Sequence, residues 1–155
     1  MGPARIPNSL KRVLVVDDEE NIRHLLLVVL KKAGYEPTAV GGAAEALTLL
    51  EGEPFKIVIS DIRMPGMDGR ELLREIGSRG LDVYTVMMSA YGGDDVAIDC
   101  MKEGAYDYFN KPFQADEVVL LLRKIQEREQ LFRENERLRE ELGNRFQFDN
   151  IIGCS

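Results

Sequence analysis

The chain has 155 residues, 45% hydrophobic and 30% charged, a balance that suits one soluble globular domain with a modest extension. Its formal net charge of -7, with no basic patch, argues against nucleic acid binding by this segment's own surface; DNA contact would fall to another region. Cys100 and Cys154 fit no metal-ligand spacing, the first residues carry no secretion signal, and no apolar run approaches the ~18 residues of a membrane span, so a cytoplasmic protein with reduced thiols is expected.

Residues 1–10 read as a disordered or expression-derived leader. The run Val13-Leu14-Val15-Val16 predicts a strand that ends in Asp17 and Asp18, and Ile22, Leu25, Leu26, Val29 and Leu30 then recur at helical spacing until Gly34. A second strand spans about Tyr35 to Val40, and Ala43, Ala46, Leu47 and Leu50 mark a short helix. Ile57 to Ser60 is a third strand, delivering Asp61. Met64 to Gly69 is a turn-rich loop before a helix carrying Leu72, Leu73 and Ile76. Val83 to Ser89 predicts a fourth strand and Ala90 to Gly93 a loop. Asp94 and Asp95 open a helix through Val96, Ile98 and Met101 that stops at Gly104. A fifth strand, Tyr106 to Phe109, leads into Asn110-Lys111-Pro112-Phe113.

The final helix begins near Ala115. Val118, Val119, Leu122 and Ile125 suit a core, after which Leu131, Asn135, Leu138 and Leu142 alternate at spacings of four and three, the heptad pattern of a coiled coil. Mixed charge fills the intervening positions, and a polar Asn135 in the seam favours one register of a parallel homodimer. The alternative is a single solvated helix with local ion pairs. Gly143-Asn144 predicts the helix end.

Five strand signals alternating with helical ones predict an α/β, flavodoxin-like, doubly wound parallel sheet of order 2-1-3-4-5, with an extended C-terminal helix. That order gathers Asp17, Asp18 and Asp61 at the switch point where such sheets bind ligands, with Ser89 and Lys111 on the same rim. Carboxylates so placed repel by up to ~4 kcal/mol per pair at ~4 Å and an effective dielectric of ~20. A cation must compensate, and Mg2+ suits hard oxygen donors.

The segment Val13 to Asp18, the stretch Asp61-Ile62-Arg63-Met64-Pro65-Gly66-Met67-Asp68-Gly69, Met88-Ser89-Ala90 and Asn110-Lys111-Pro112-Phe113 together resemble a response-regulator receiver domain over about Arg12 to Ile125. The resemblance implies that Asp61 accepts a phosphoryl group from a sensor histidine kinase. It implies Mg2+ held by Asp18 and Asp61, with Asp17 acting through the ion or a water and Arg63 through its main-chain carbonyl. Lys111 would neutralise charge at Asp61, Ser89 would donate to a phosphoryl oxygen, and Tyr108 would be the switch aromatic. The charged helix followed by Phe148 to Ser155 is similar to the linker and first ATPase residues of sigma-54-dependent activators. On that basis residues 11–125 are a receiver, 126–143 a coiled-coil linker and 144–155 the start of an ATPase domain. DNA and sigma-54 polymerase would then be contacted by regions beyond Ser155.

Competing readings lack a feature each. A multiple-turnover phosphohydrolase using Asp61 wants a general acid two residues later, where Arg63 stands. A nucleotide-binding flavodoxin-like protein wants a glycine-rich loop after the first strand, and none is present. A stand-alone receiver leaves the heptad helix and the ending without a role. The lone His24 reads as a structural side chain.

Overall fold

A computed structural model describes the backbone of residues 6–90 and 94–153, and the side chains of 6–90 and 95–143. It has a five-stranded parallel sheet in the order β2-β1-β3-β4-β5, as the sequence predicts. The strands are β1 (Arg12–Val16), β2 (Glu36–Val40), β3 (Ile57–Asp61), β4 (Tyr84–Ser89) and β5 (Asp107–Asn110). The helices are α1 (Asn8–Lys11), α2 (Glu20–Lys32), α3 (Ala43–Gly52), α4 (Gly69–Ser78), α5 (Asp94–Lys102) and α6 (Ala115–Gly153). The chain divides into two units, Met1–Leu121 and Leu122–Ser155.

In the first unit, every residue of β3 is buried and Val13 to Val16 have no exposure at all, the burial expected of central strands covered on both faces. Pleating sends alternate side chains to opposite faces. Thus Leu14, Val16 and Val58 join Leu47 of α3 and Leu72 and Ile76 of α4 in one cluster. A smaller cluster gathers Ile62, Leu73, Met87 and Cys100, with Tyr108 packed against it. Leu26, Val29 and Leu30 form the buried stripe of α2, each worth roughly 1.5–3 kcal/mol of apolar burial. That helix ends where Gly34 takes φ 98°, which a side chain would resist.

Two boundaries differ from the sequence reading. The expected leader contributes α1, one helical turn whose Leu10 is completely buried, and Ile6 lies close to Gly34. A lone leucine in four residues has no periodicity to reveal it. At the other end, α6 continues through Gly143 and Asn144 to Gly153. An interior glycine costs a helix about 1 kcal/mol, less than the flanking helix formers can offset, so it does not force a break. The side chains of Phe146 to Ser155, compared above with an ATPase domain, lie outside the described residues, as do Tyr91 to Gly93 of the loop after β4.

In the second unit, Leu122 and Ile125 are buried, whereas Leu131, Asn135, Leu138 and Leu142 are all exposed.

Candidate functional site

Parallel register brings the strand ends to one level. Val16 pairs with Ser60, Asp61 with Met88, and Ser89 with Asn110, so the acids and their partners emerge from adjacent strands on one edge. Main-chain bonds carry the alignment past the strand ends: Ile62 N–H donates to Met88 O at 3.1 Å, and Lys111 N–H to Ser89 O at 2.7 Å. The Lys111–Pro112 peptide bond is cis.

One carboxylate oxygen from each of Asp17, Asp18 and Asp61 lies within 4.8 Å of the others. Asp17 is wholly buried, Asp61 nearly so, and Asp18 is exposed. Lys111 Nζ donates to Asp17 Oδ2 at 2.8 Å and to Asp61 Oδ2 at 3.2 Å. The lysine expected against Asp61 does reach it, and it also bridges to Asp17, the deeper carboxylate, to which it sits closer.

The charges explain this placement. Burial raises the Asp61 pKa above its ordinary value; Lys111 opposes that shift, Asp17 adds to it, and the Arg63 N–H favours the ionised form. For Lys111, burial works against the ammonium, yet the hydrogen bond and charge of Asp17, joined by Asp61, outweigh it and raise the pKa. Three carboxylates and one ammonium leave two negative charges, which one divalent cation would cancel. The donor set is entirely hard oxygen and opens to solvent at Asp18, so it fits an ion that retains part of its water shell.

The other sequence candidates fall around this centre. Ser89 is buried beside it on β4, its hydroxyl donating to Ala90 O at 3.1 Å. Tyr108 is half-buried on β5 and Arg63 is exposed on the loop after β3. His24 is exposed on α2, away from any role here. The heptad residues belong to the other unit.

Sequence reasoning missed three residues. Gly69, read as part of a turn, opens α4 with its N–H donating to Ile62 O at 2.8 Å, and a β-carbon there would lie 2.1 Å from Asp61 O. Asp68 caps that helix, accepting from Glu71 N–H at 3.0 Å. Arg23 reaches from α2 to donate to Asp17 O at 2.7 Å. Gly69 and Arg23 leave no periodic signature, because each is required by main chain six to eight residues away on another segment, whereas the spacing of Asp68 and Glu71 is a capping signal that could have been read.

Comparison with known proteins identifies the family. A family model described as the response regulator receiver domain matches residues 13–123. A putative NtrX-like response regulator of Rickettsia bellii is 40% identical over 129 residues, 82% of this chain and 27% of its own length. The C4-dicarboxylate transport transcriptional regulatory protein DctD of Rhizobium meliloti is 38% identical over 127 residues, 82% of this chain and 28% of its own. The chain thus spans under a third of either relative. Among solved structures, NtrX from Brucella abortus superposes with a TM-score of 0.78 at 34% identity, covering 83% of this chain and 29% of that one. The chain belongs to the response-regulator receiver family of two-component systems, in the kind found among sigma-54-dependent activators.

Proposed function

We propose that Asp61 is a phosphoacceptor for a sensor histidine kinase in the cytoplasm, and that its phosphorylation switches the output of a sigma-54-dependent activator. The observation that carries this reading is Lys111 bridging Asp17 and Asp61 beside a third carboxylate, a charge-balanced oxygen cluster at the tips of adjacent strands. An oxygen of Asp61 attacks phosphorus; its P–O bond forms as the donor's P–N bond breaks, and the leaving imidazole keeps the electron pair and takes up a proton. Asp17, Asp18, Asp61 and the main-chain carbonyl of Arg63 would hold Mg2+, which stabilises charge on the transferring oxygens. Lys111 holds the nucleophile's oxygen before transfer and meets a phosphoryl oxygen after it.

The phosphoryl group carries about -1.5 to -2 of charge where the Asp61 carboxylate carried -1, a net gain of about -0.5 to -1 moved outward onto three oxygens. Ser89 exchanges its bond to Ala90 for one to phosphate, Tyr108 turns inward, and the surface of α5, β5 and the start of α6 changes. Leu131, Asn135, Leu138 and Leu142 form the seam of a parallel homodimer, with residues 126–143 as linker between a receiver at 11–125 and an ATPase domain that opens at 144–155. DNA and sigma-54 polymerase are left to regions beyond Ser155. Exposure of Leu131 at 66% and Leu142 at 62% supports the seam, since apolar side chains recurring at heptad spacing would be covered together by a second helix.

The direct test is incubation with Mg2+ and acetyl phosphate, followed by intact mass. The parent protein gains one phosphoryl group and Asp61→Asn gains none. No gain by the parent overturns the proposal.

A further inference from the structure

We infer that Arg23 is a positioning residue for the acidic pair: its guanidinium fixes the peptide between Asp17 and Asp18 and so sets the direction from which Asp18 meets a divalent cation. The inference rests on the proposed Mg2+ site and adds to it a residue outside the ligand set.

Asp17 is held at every polar atom by this chain. Its N–H donates to Val40 O at 3.2 Å, Oδ1 accepts from Glu19 N–H at 2.9 Å, Oδ2 from Lys111 at 2.8 Å, and the main-chain oxygen from Arg23 Nη1 at 2.7 Å. The residue has no exposure, so water offers its carbonyl no substitute for the guanidinium. That carbonyl belongs to the same planar peptide as the N–H of Asp18. Once the plane is fixed, rotation about φ sets the Asp18 Cβ, and only χ1 and χ2 remain to direct its carboxylate. Asp18, by contrast, is exposed and depends on its backbone for direction.

Arg23 is equipped for the task. It is half-buried in the first turn of α2, where its own N–H donates to Glu19 O at 3.1 Å. Its guanidinium passes Gly41 so closely that a β-carbon there would lie 3.5 Å from Nη1. The carbonyl bond therefore ties the end of β1 to α2, with the guanidinium lying beside the turn after β2.

Electrostatics and positioning give opposite signs. A guanidinium near a cation site repels the cation, so if Arg23 acted only through its charge, its removal would tighten binding. If it acts by orienting Asp18, removal loosens binding. Substitution of residues that orient metal ligands commonly costs about 10–100-fold in affinity.

The experiment is a calorimetric Mg2+ titration of the full chain as the parent, Arg23→Ala and Arg23→Lys, together with melting temperatures with and without Mg2+. Arg23→Ala is expected to bind Mg2+ about tenfold more weakly and Arg23→Lys, which keeps one donor, about threefold. The melting increment produced by Mg2+ shrinks in the same order, and phosphorylation by acetyl phosphate recovers at saturating Mg2+. Unchanged or tighter Mg2+ binding by Arg23→Ala overturns the inference. So does a melting temperature lowered equally with and without Mg2+, the mark of a purely structural role. Should Arg23→Ala not fold, Arg23→Lys decides alone, and affinity equal to the parent overturns the inference. Absence of Mg2+ binding by the parent overturns the function proposed above instead.

Discussion

Adding one methyl group at Gly69 drives a carbon into the main chain behind Asp61. A β-carbon there would lie 2.1 Å from Asp61 O, 2.8 Å from Ile62 Cα and 2.9 Å from Met87 Cε. Two of these atoms are backbone at the end of β3, a strand paired on both sides, and Met87 is fully buried, so little can yield. Overpacking costs roughly 1–3 kcal/mol, and obstruction by backbone places this site at the upper end. Alanine returns up to ~1 kcal/mol as the better helix former, leaving a net loss of about 2 kcal/mol. At about 4 °C per kcal/mol, the melting temperature of Gly69→Ala falls by roughly 8 °C. Gly77→Ala is the control in the same helix: nothing lies within 4 Å of a β-carbon there, so the substitution is expected to stabilise. Thermal melts followed by circular dichroism, in buffer free of Mg2+, compare the two. A Gly69→Ala melt within about 2 °C of the parent would show that α4 does not approach the strand as described.

The raised Asp61 pKa has a definite sign in stability. A carboxyl raised by burial contributes stability that is complete below its unfolded pKa and lost as pH rises through the folded one, so at neutral pH the ionised side chain is held at a cost. Asp61→Asn should melt higher than the parent at pH 7, with the gain fading toward about pH 4; an equal or lower melt at pH 7 would contradict the burial argument. Lys111→Ala removes the ammonium from two carboxylates that are almost fully buried, and urea titration should show a loss of about 3 kcal/mol, with less than about 1 kcal/mol refuting the bridge. For the heptad seam, sedimentation should find the parent dimeric at tens of micromolar and the Leu131→Glu, Leu138→Glu double variant monomeric. A monomeric parent rejects the dimer.

Legibility in the sequence followed the range of each interaction. β1 and β3 were readable because continuous apolar runs ending in acids are local patterns, and the alternation with helices was enough to order the sheet and bring three acids together. Strand limits moved by a residue or so, as for β5, which begins at Asp107 rather than Tyr106. Gly69 and Arg23 were invisible for a common reason: one is required by a backbone 8 residues earlier and the other by a carbonyl on a different element, and neither leaves a periodic trace. The strand order brings Lys111 to the same rim as the acids, but its division between Asp17 and Asp61 depends on burial, which spacing does not report. The α1 turn failed on length. A single buried Leu10 cannot announce itself.

The ammonium that balances the crevice arrives late in the chain. Lys111 stands 94 residues after Asp17 and 50 after Asp61. A ribosome that has released only the first four strands therefore exposes an acidic hollow without the ammonium that bridges Asp17 and Asp61, on a sheet with one edge strand still missing. Synthesis, in this protein, finishes the electrostatics and the sheet edge at the same moment, when β5 docks on β4 and carries Lys111 into place.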